Sequence, residues 1–220
     1  MKILMYHLIM NKNHNMCVSE ENFRNQINWL INNEYEFCLV NDLSDELINS
    51  QNDKKIMITF DDGYKNTVTC AMDILNEFGV NALMSVCSSY LFSNLNIDKA
   101  MHLSNDFATI KQIEKWIESG NEIAAHSFSH ANLANIDIDI CKEEIVLDKI
   151  LLEKTFHVPI DSFVYPYGSY NECVEKIVKN NYSFAFTTDS RKKSERHHIK
   201  RIGVNNEISF ENFKKMLGET

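Results

Sequence analysis

Ile56-Met57-Ile58-Thr59-Phe60-Asp61-Asp62-Gly63-Tyr64 decides how this chain is read. An apolar, β-branched run ends on two adjacent carboxylates and a glycine, the pattern of a buried strand that stops at a polar turn. Further along, Glu122-Ile123-Ala124-Ala125 runs into His126-Ser127-Phe128-Ser129-His130, and Ser162-Phe163-Val164-Tyr165 runs into Pro166-Tyr167-Gly168. Each polar cluster directly follows a strand. In barrels and sheets built from strand-helix units, the C-terminal ends of the strands form one edge, and active sites lie there. Clusters far apart in sequence can therefore converge.

Outward from these stretches, short apolar segments alternate with amphipathic ones. Strands are expected over 3–9, 36–40, 56–60, 82–87, 122–125, 162–165, 183–187 and 201–204. Helices are expected over 21–32, 42–49, 66–78, 109–119, 139–155, 171–180 and 210–217, with Gly79 and Gly120 as stops. Residues 88–108 and 188–199 read as loops. Repetition of strand and helix predicts an α/β fold with a parallel sheet or barrel.

The bulk properties fit one domain over 1–220: 220 residues, 44% hydrophobic, with only two prolines and six glycines. A net charge of -9 disfavours nonspecific binding to nucleic acid or to an anionic membrane. Cys17, Cys38, Cys70, Cys87, Cys141 and Cys173 show no close pair, as expected of small buried hydrophobes in a reducing compartment. The first residues are too short an apolar run for a secretory signal, and no stretch is long enough to span a membrane, so a cytoplasmic location is expected.

One carboxylate and two imidazoles commonly hold a divalent metal with positions open for water and substrate. Adjacent carboxylates cannot both face one way in a regular strand, but Gly63 permits a turn that could aim both at one place. Two close carboxylates resist double ionisation, and a cation relieves this. One would touch the cation and the other could take a proton. His126 and His130, at i and i+4, share a helical face or meet around a tight turn.

Thr59-Phe60-Asp61-Asp62-Gly63-Tyr64, His126-Ser127-Phe128-Ser129-His130 and Tyr165-Pro166-Tyr167-Gly168 together resemble the first three motifs of the polysaccharide deacetylases, the NodB-homology domain of carbohydrate esterase family four. Met5-Tyr6-His7, Gly120-Asn121-Glu122-Ile123, Asn132-Leu133 and Lys200-Arg201-Ile202-Gly203-Val204 add to the likeness. The resemblance implies a distorted (β/α) barrel of seven strands holding one divalent metal, typically zinc. It implies Asp62, His126 and His130 as metal ligands and Asp61 as the base that activates water. The backbone N–H of Tyr167 would hold the oxyanion. The implied substrate is an N-acetylated sugar, glycan or glycan precursor.

Two positions depart from the family pattern. Val164 stands where an arginine usually orients the base, and Arg201 is the candidate replacement. No late Leu-x-His motif supplies the general acid. His197 and His198 read as solvated residues of a polar loop, and His14, His102 and His157 have no supporting context. His7 resembles the N-terminal histidine acid of the poly-β-1,6-N-acetylglucosamine deacetylases and suits a group titrating near neutrality. A deformylase of a formamido sugar, or a carbohydrate-binding protein on the same scaffold, would keep most of these features. Residues 8–20 and 88–108 are the expected shapers of substrate choice.

Overall fold

The computed structural model describes residues 1–12, 14–50, 54–92, 106–189 and 193–218. Parallel strands Lys2–Tyr6, Lys55–Phe60, Leu83–Val86, Glu122–Ala125, Ser162–Val164 and Phe184–Thr187 lie side by side in that spatial order. The segment 199–203 closes the ring. Its first half, Ile199–Lys200, pairs with Phe184–Thr187, and its second half, Ile202–Gly203, pairs with Lys2–Tyr6. Counted as one strand, this segment makes seven, as the resemblance implies. Glu36–Phe37 pairs only with the start of Lys55–Phe60, as a short flank. The helices Glu20–Asn32, Met72–Phe78, Ile110–Glu118, Ile138–Phe156, Glu172–Asn181 and Phe210–Met216 surround the barrel.

Alternation along the strands explains the layering, because successive side chains face opposite sides of a strand. Leu4, Tyr6, Ile58, Phe60, Met84, Ile123 and Phe163 belong to the core packed under the helices, where Tyr6, Phe23, Phe60 and Trp116 make edge-on and tilted ring contacts. Ile3, Met57, Leu83, Ala124, Phe186 and Ile199 form a separate cluster filling the barrel, closed at its base by Val40, Leu43 and Ile48. The same parity then puts Met5, Thr59 and Ser85 one layer higher, and His7, Asp61 and His126 above them. The site is thus the top of the barrel filling.

The expected strand 3–9 is broken at His7, because Leu8–Ile9 leaves the barrel to pair with Cys17–Val18. The helix predicted over 66–78 begins with a wider turn, Thr67–Ala71, of π type before Met72–Phe78. Of the predicted loop 88–108, Ser88–Leu91 is a short helical turn, while 93–105, including His102, lies outside the described residues. All six cysteines are free; Cys17, Cys38, Cys87 and Cys141 are buried, but Cys173 is exposed.

Candidate metal and catalytic site

The strand Lys55–Phe60 hands on to Asp61, whose backbone N–H still donates to the Tyr6 carbonyl at 3.0 Å. The turn that aims both carboxylates at one place begins at Asp62 itself, one residue before the expected Gly63: both have left-handed φ, 71° and 69°. His126 follows Ala125 directly, and the chain bends back through left-handed Ser127 and His130, both at φ 62°. The two histidines therefore meet around a tight turn, with ring centroids 4.8 Å apart. Tyr167 is also left-handed, at φ 58°. Gly168 after it must be glycine, since an added Cβ would lie 2.1 Å from Thr188 Oγ1 and 2.9 Å from the Thr188 backbone nitrogen. Among the described residues, four of the six non-glycine residues with left-handed backbone stand at this site. Such conformations cost free energy and persist where the surroundings over-determine them.

Asp62 Oδ1 lies 3.4 Å from His126 Nε2 and 3.3 Å from His130 Nε2. One ligand atom from each residue can be chosen so that all lie within 4.8 Å of one another, a set that could hold a metal ion. The hydrogen bonding around His126 argues the same way. Its Nδ1 lies 2.7 Å from the Val164 carbonyl oxygen, which can only accept, so Nδ1 carries the proton. In the neutral ring, Nε2 then turns a lone pair toward the Asp62 carboxylate. That facing is repulsive unless a cation or a proton stands between. The titration shifts express this demand: burial pushes the His126 imidazole down, but Asp62 and Asp61 outweigh it and raise it. Burial pushes Asp62 up, but its hydrogen-bonding histidines hold it well below the usual carboxylate range. A carboxylate and two oriented imidazole nitrogens fit a divalent transition metal such as zinc. His130 is steadied from its far side by Tyr167, whose hydroxyl lies 3.1 Å from Nδ1 and whose ring packs edge-on at 4.6 Å.

Asp61 faces the other way electrostatically. Arg201 grips it with two hydrogen bonds, Nη1 to Oδ1 at 2.6 Å and Nη2 to Oδ2 at 2.7 Å, and Ser85 Oγ donates to Oδ1 at 2.9 Å. Burial raises the Asp61 carboxyl, but the Arg201 charge and hydrogen bonds, aided by His126 and His7, lower it to about 2. Arg201 is buried, not a surface cation. It sits at the junction of the two half-strands of 199–203, which turns its side chain into the barrel. The missing arginine at Val164 is thus replaced in space, while Val164 still contributes its carbonyl to His126.

A cavity of about 250 Å³ opens above these groups, and His7, Asp61, Asp62, His126, His130, Tyr167 and Arg201 all line it. Every residue singled out from sequence for catalysis or metal binding is brought to this one place. Met5 and Met16 add apolar wall. His198 corrects the expectation of a solvated loop: it is buried, 3.8 Å from Glu175, with its ring near Tyr170. Sequence reading missed Ser85, Glu144 and Asp148. Ser85 was detectable as the polar residue at an inward position of Leu83–Val86. Asp148 was detectable as the one acid in the helical stripe Cys141, Ile145, Asp148, Leu152, Phe156.

Comparison with known proteins agrees with this geometry. The family described as Polysaccharide deacetylase matches residues 48–184, and the chain belongs to it. YxkH of Bacillus subtilis (strain 168), named for polysaccharide deacetylation, is 27% identical over 190 residues, covering 85% of this chain and 64% of its own length. A bifunctional xylanase/deacetylase of Pseudobutyrivibrio xylanivorans is 26% identical over 56% of this chain, which spans 18% of that protein. The chain therefore spans less than two-thirds of these relatives. Among solved structures, BC0361, a polysaccharide deacetylase from Bacillus cereus, superposes with TM-score 0.80 at 26% identity, over 98% of this chain and 68% of that one. The Streptococcus pyogenes deacetylase PplD shares the fold at TM-score 0.84 and 23% identity, over 98% and 97% of the two chains. Among the described residues, no helix is long and apolar enough to cross a membrane.

Proposed function

We propose that this chain is a metal-dependent hydrolase that removes N-acetyl groups from an N-acetylated sugar or glycan. The observation that carries the reading is the convergence of Asp62, His126 and His130 beside an arginine-bound Asp61 in one cavity. Asp62, His126 and His130 would hold a divalent cation, zinc by the donor set. When bound, such an ion supplies Lewis acidity toward the acyl carbonyl and acidifies water.

Asp61 is the proton acceptor. Arg201 keeps it ionised across the neutral range and fixes both its oxygens, so it enters each turnover unprotonated and correctly aimed. A carboxylate held near 2 is a weak base, so it takes a proton only from water that has already been acidified. The backbone N–H of Tyr167, in the left-handed turn before Gly168, is the donor this reading assigns to the developing oxyanion. His7, at the break after the first strand, faces the same cavity and gives the departing amine its proton. The oxygen of the deprotonated water adds to the acyl carbon, the C–N bond breaks, and acetate and a free amino sugar leave.

The deciding experiment pairs metal analysis of the purified protein with release of acetate and formate from a panel of N-acyl sugars. About one divalent ion per chain with chelator-sensitive acetate release is the expected result. Formate release without acetate would replace the reading by a deformylase. Metal-replete protein that carries no ion and turns over nothing would make the chain a binding module.

A further inference from the structure

The loop that presents both histidines is held from beneath by one helix. In Ile138–Phe156, Glu144 and Asp148 stand one turn apart on the side facing the loop. Glu144 takes both groups of Ser129, the backbone N–H at 2.8 Å and the hydroxyl at 2.6 Å, and its own carbonyl accepts the N–H of Phe128 at 2.9 Å. Asp148 is fully buried. Its Oδ1 accepts the N–H of Ser88 at 2.8 Å and its Oδ2 the N–H of His126 at 2.9 Å, an N–H that also reaches the Val86 carbonyl at 3.2 Å. Between the gripped residues lie the left-handed Ser127 and, just beyond, His130. A strained loop with two functional side chains needs such external support.

We propose that Glu144 and Asp148 are positioning residues, a carboxylate pair that holds the histidine loop in the one conformation where both imidazoles face Asp62. The inference rests on the reading of Asp62, His126 and His130 as a cation site. Bond counting makes it specific. Glu144 meets one donor that cannot reverse, the Ser129 N–H, and one that can, the hydroxyl. A glutamine there can accept from the first and donate to the second. Asp148 meets two backbone N–H groups, which only donate, with the Ser88 hydroxyl beside the first. An asparagine can accept one and must present an N–H to the other.

The test uses the full chain and Co²⁺ alone as the probe, with affinity from competition titration and coordination from the visible Co²⁺ spectrum. Glu144→Gln should bind Co²⁺ within a few-fold of the parent. Glu144→Ala and Asp148→Asn should each weaken it about tenfold to hundredfold with an altered spectrum, the range seen when groups behind metal ligands are lost. Amide exchange in the metal-free protein should quicken at Ser129 in the first of these and at Ser88 or His126 in the second. Parent-like Co²⁺ affinity and spectrum in folded Glu144→Ala and Asp148→Asn would overturn the proposal. Equal losses in Glu144→Gln and Glu144→Ala would overturn it too. Should Asp148→Asn not fold, the Glu144 pair still decides, because that side chain is only half-buried. Should the parent bind no Co²⁺, the cation reading falls by itself. Amide exchange then judges the clamp, and unchanged rates at Ser88, His126 and Ser129 would overturn it.

Discussion

The two ends of the barrel hold cavities that differ in an instructive way. The cavity at the base, lined by Leu39, Val40, Ile117, Glu122, Val158 and Ser162, is the larger at about 360 Å³, against about 250 Å³ at the top. Yet the base has one partly buried carboxylate with local work to do: Glu122 accepts the N–H groups of Val40 at 2.6 Å and Asn41 at 3.4 Å. The top has two buried carboxylates, two oriented imidazoles, a buried guanidinium and a cluster of left-handed residues. Volume does not mark the functional end. Convergence of charged groups that displace one another's titration, on backbone the fold must hold under strain, does. Base and top should therefore respond differently to substitution, the base in stability alone and the top in turnover, with stability lost there too where a buried charge loses its partner.

The sharpest way to break this contrast is Asp61→Asn. It removes the proposed general base but none of the proposed ligands Asp62, His126 and His130. Turnover should fall about a thousandfold, the scale of a lost general base, with metal content unchanged. Near-parental turnover in a metal-loaded variant would return Asp61 to the structural role assigned to the base of the barrel.

Arg201→Met comes next and tests whether the top is stabilised by its own chemistry. It strands a buried carboxylate, a loss of about 3–5 kcal/mol when one partner of a buried pair is removed. The sign with pH is fixed by the shift. Asp61 is lowered from 3.8 to about 2, so its contribution is present above pH 4 and is lost as the pH falls toward 2. The shift corresponds to roughly 2 kcal/mol. The stability gap between parent and Arg201→Met, measured by urea unfolding, should narrow as the pH drops from neutrality toward 2, because burial without the guanidinium raises the Asp61 carboxyl in the variant and lets it take a proton earlier. A gap independent of pH would mean that Arg201 acts by packing and not by charge.

These two substitutions also show what the sequence can and cannot disclose. Asp61, Asp62, His126 and His130 are legible because each follows an apolar strand in an unbroken motif, and strand parity carries it to the top of the barrel. Arg201 is legible only through the family resemblance, as the candidate for the arginine missing at Val164, since Lys200-Arg201-Ile202 carries no local signal of its own. Its position comes from the closure of the ring, where 199–203 changes neighbours at that residue. His198 misleads for the same reason: its local surroundings are polar, but barrel closure buries it. The wide turn at Thr67–Ala71 has no composition mark either, because an extra residue per turn changes the hydrogen bonding and not the hydrophobic pattern.

A finer distinction within the top comes from His7→Ala. The amine expelled from an amide is a poor leaving group and needs a proton, whereas the phenolate expelled from an aryl acetate does not. The loss should be about a hundredfold on the N-acetyl sugar and only a few-fold on the ester. Equal losses on both would mean that His7 serves only to end the first strand.

The smallest effect is expected at the base. Glu122→Ala removes the acceptor for two backbone N–H groups at the short turn Val40–Asp42 and leaves the top untouched. Stability should fall by about 1–2 kcal/mol, the cost of unsatisfied but partly solvated donors. The kinetic constants on an N-acyl sugar should match the parent's. Glu122→Gln should recover part of the loss, because one amide oxygen can still accept from Val40. A large fall in kcat with stability intact would put function at the base and dissolve the contrast. A fall in both would show that Glu122-Ile123-Ala124-Ala125 transmits displacement along its length to His126, making the two ends one mechanical unit.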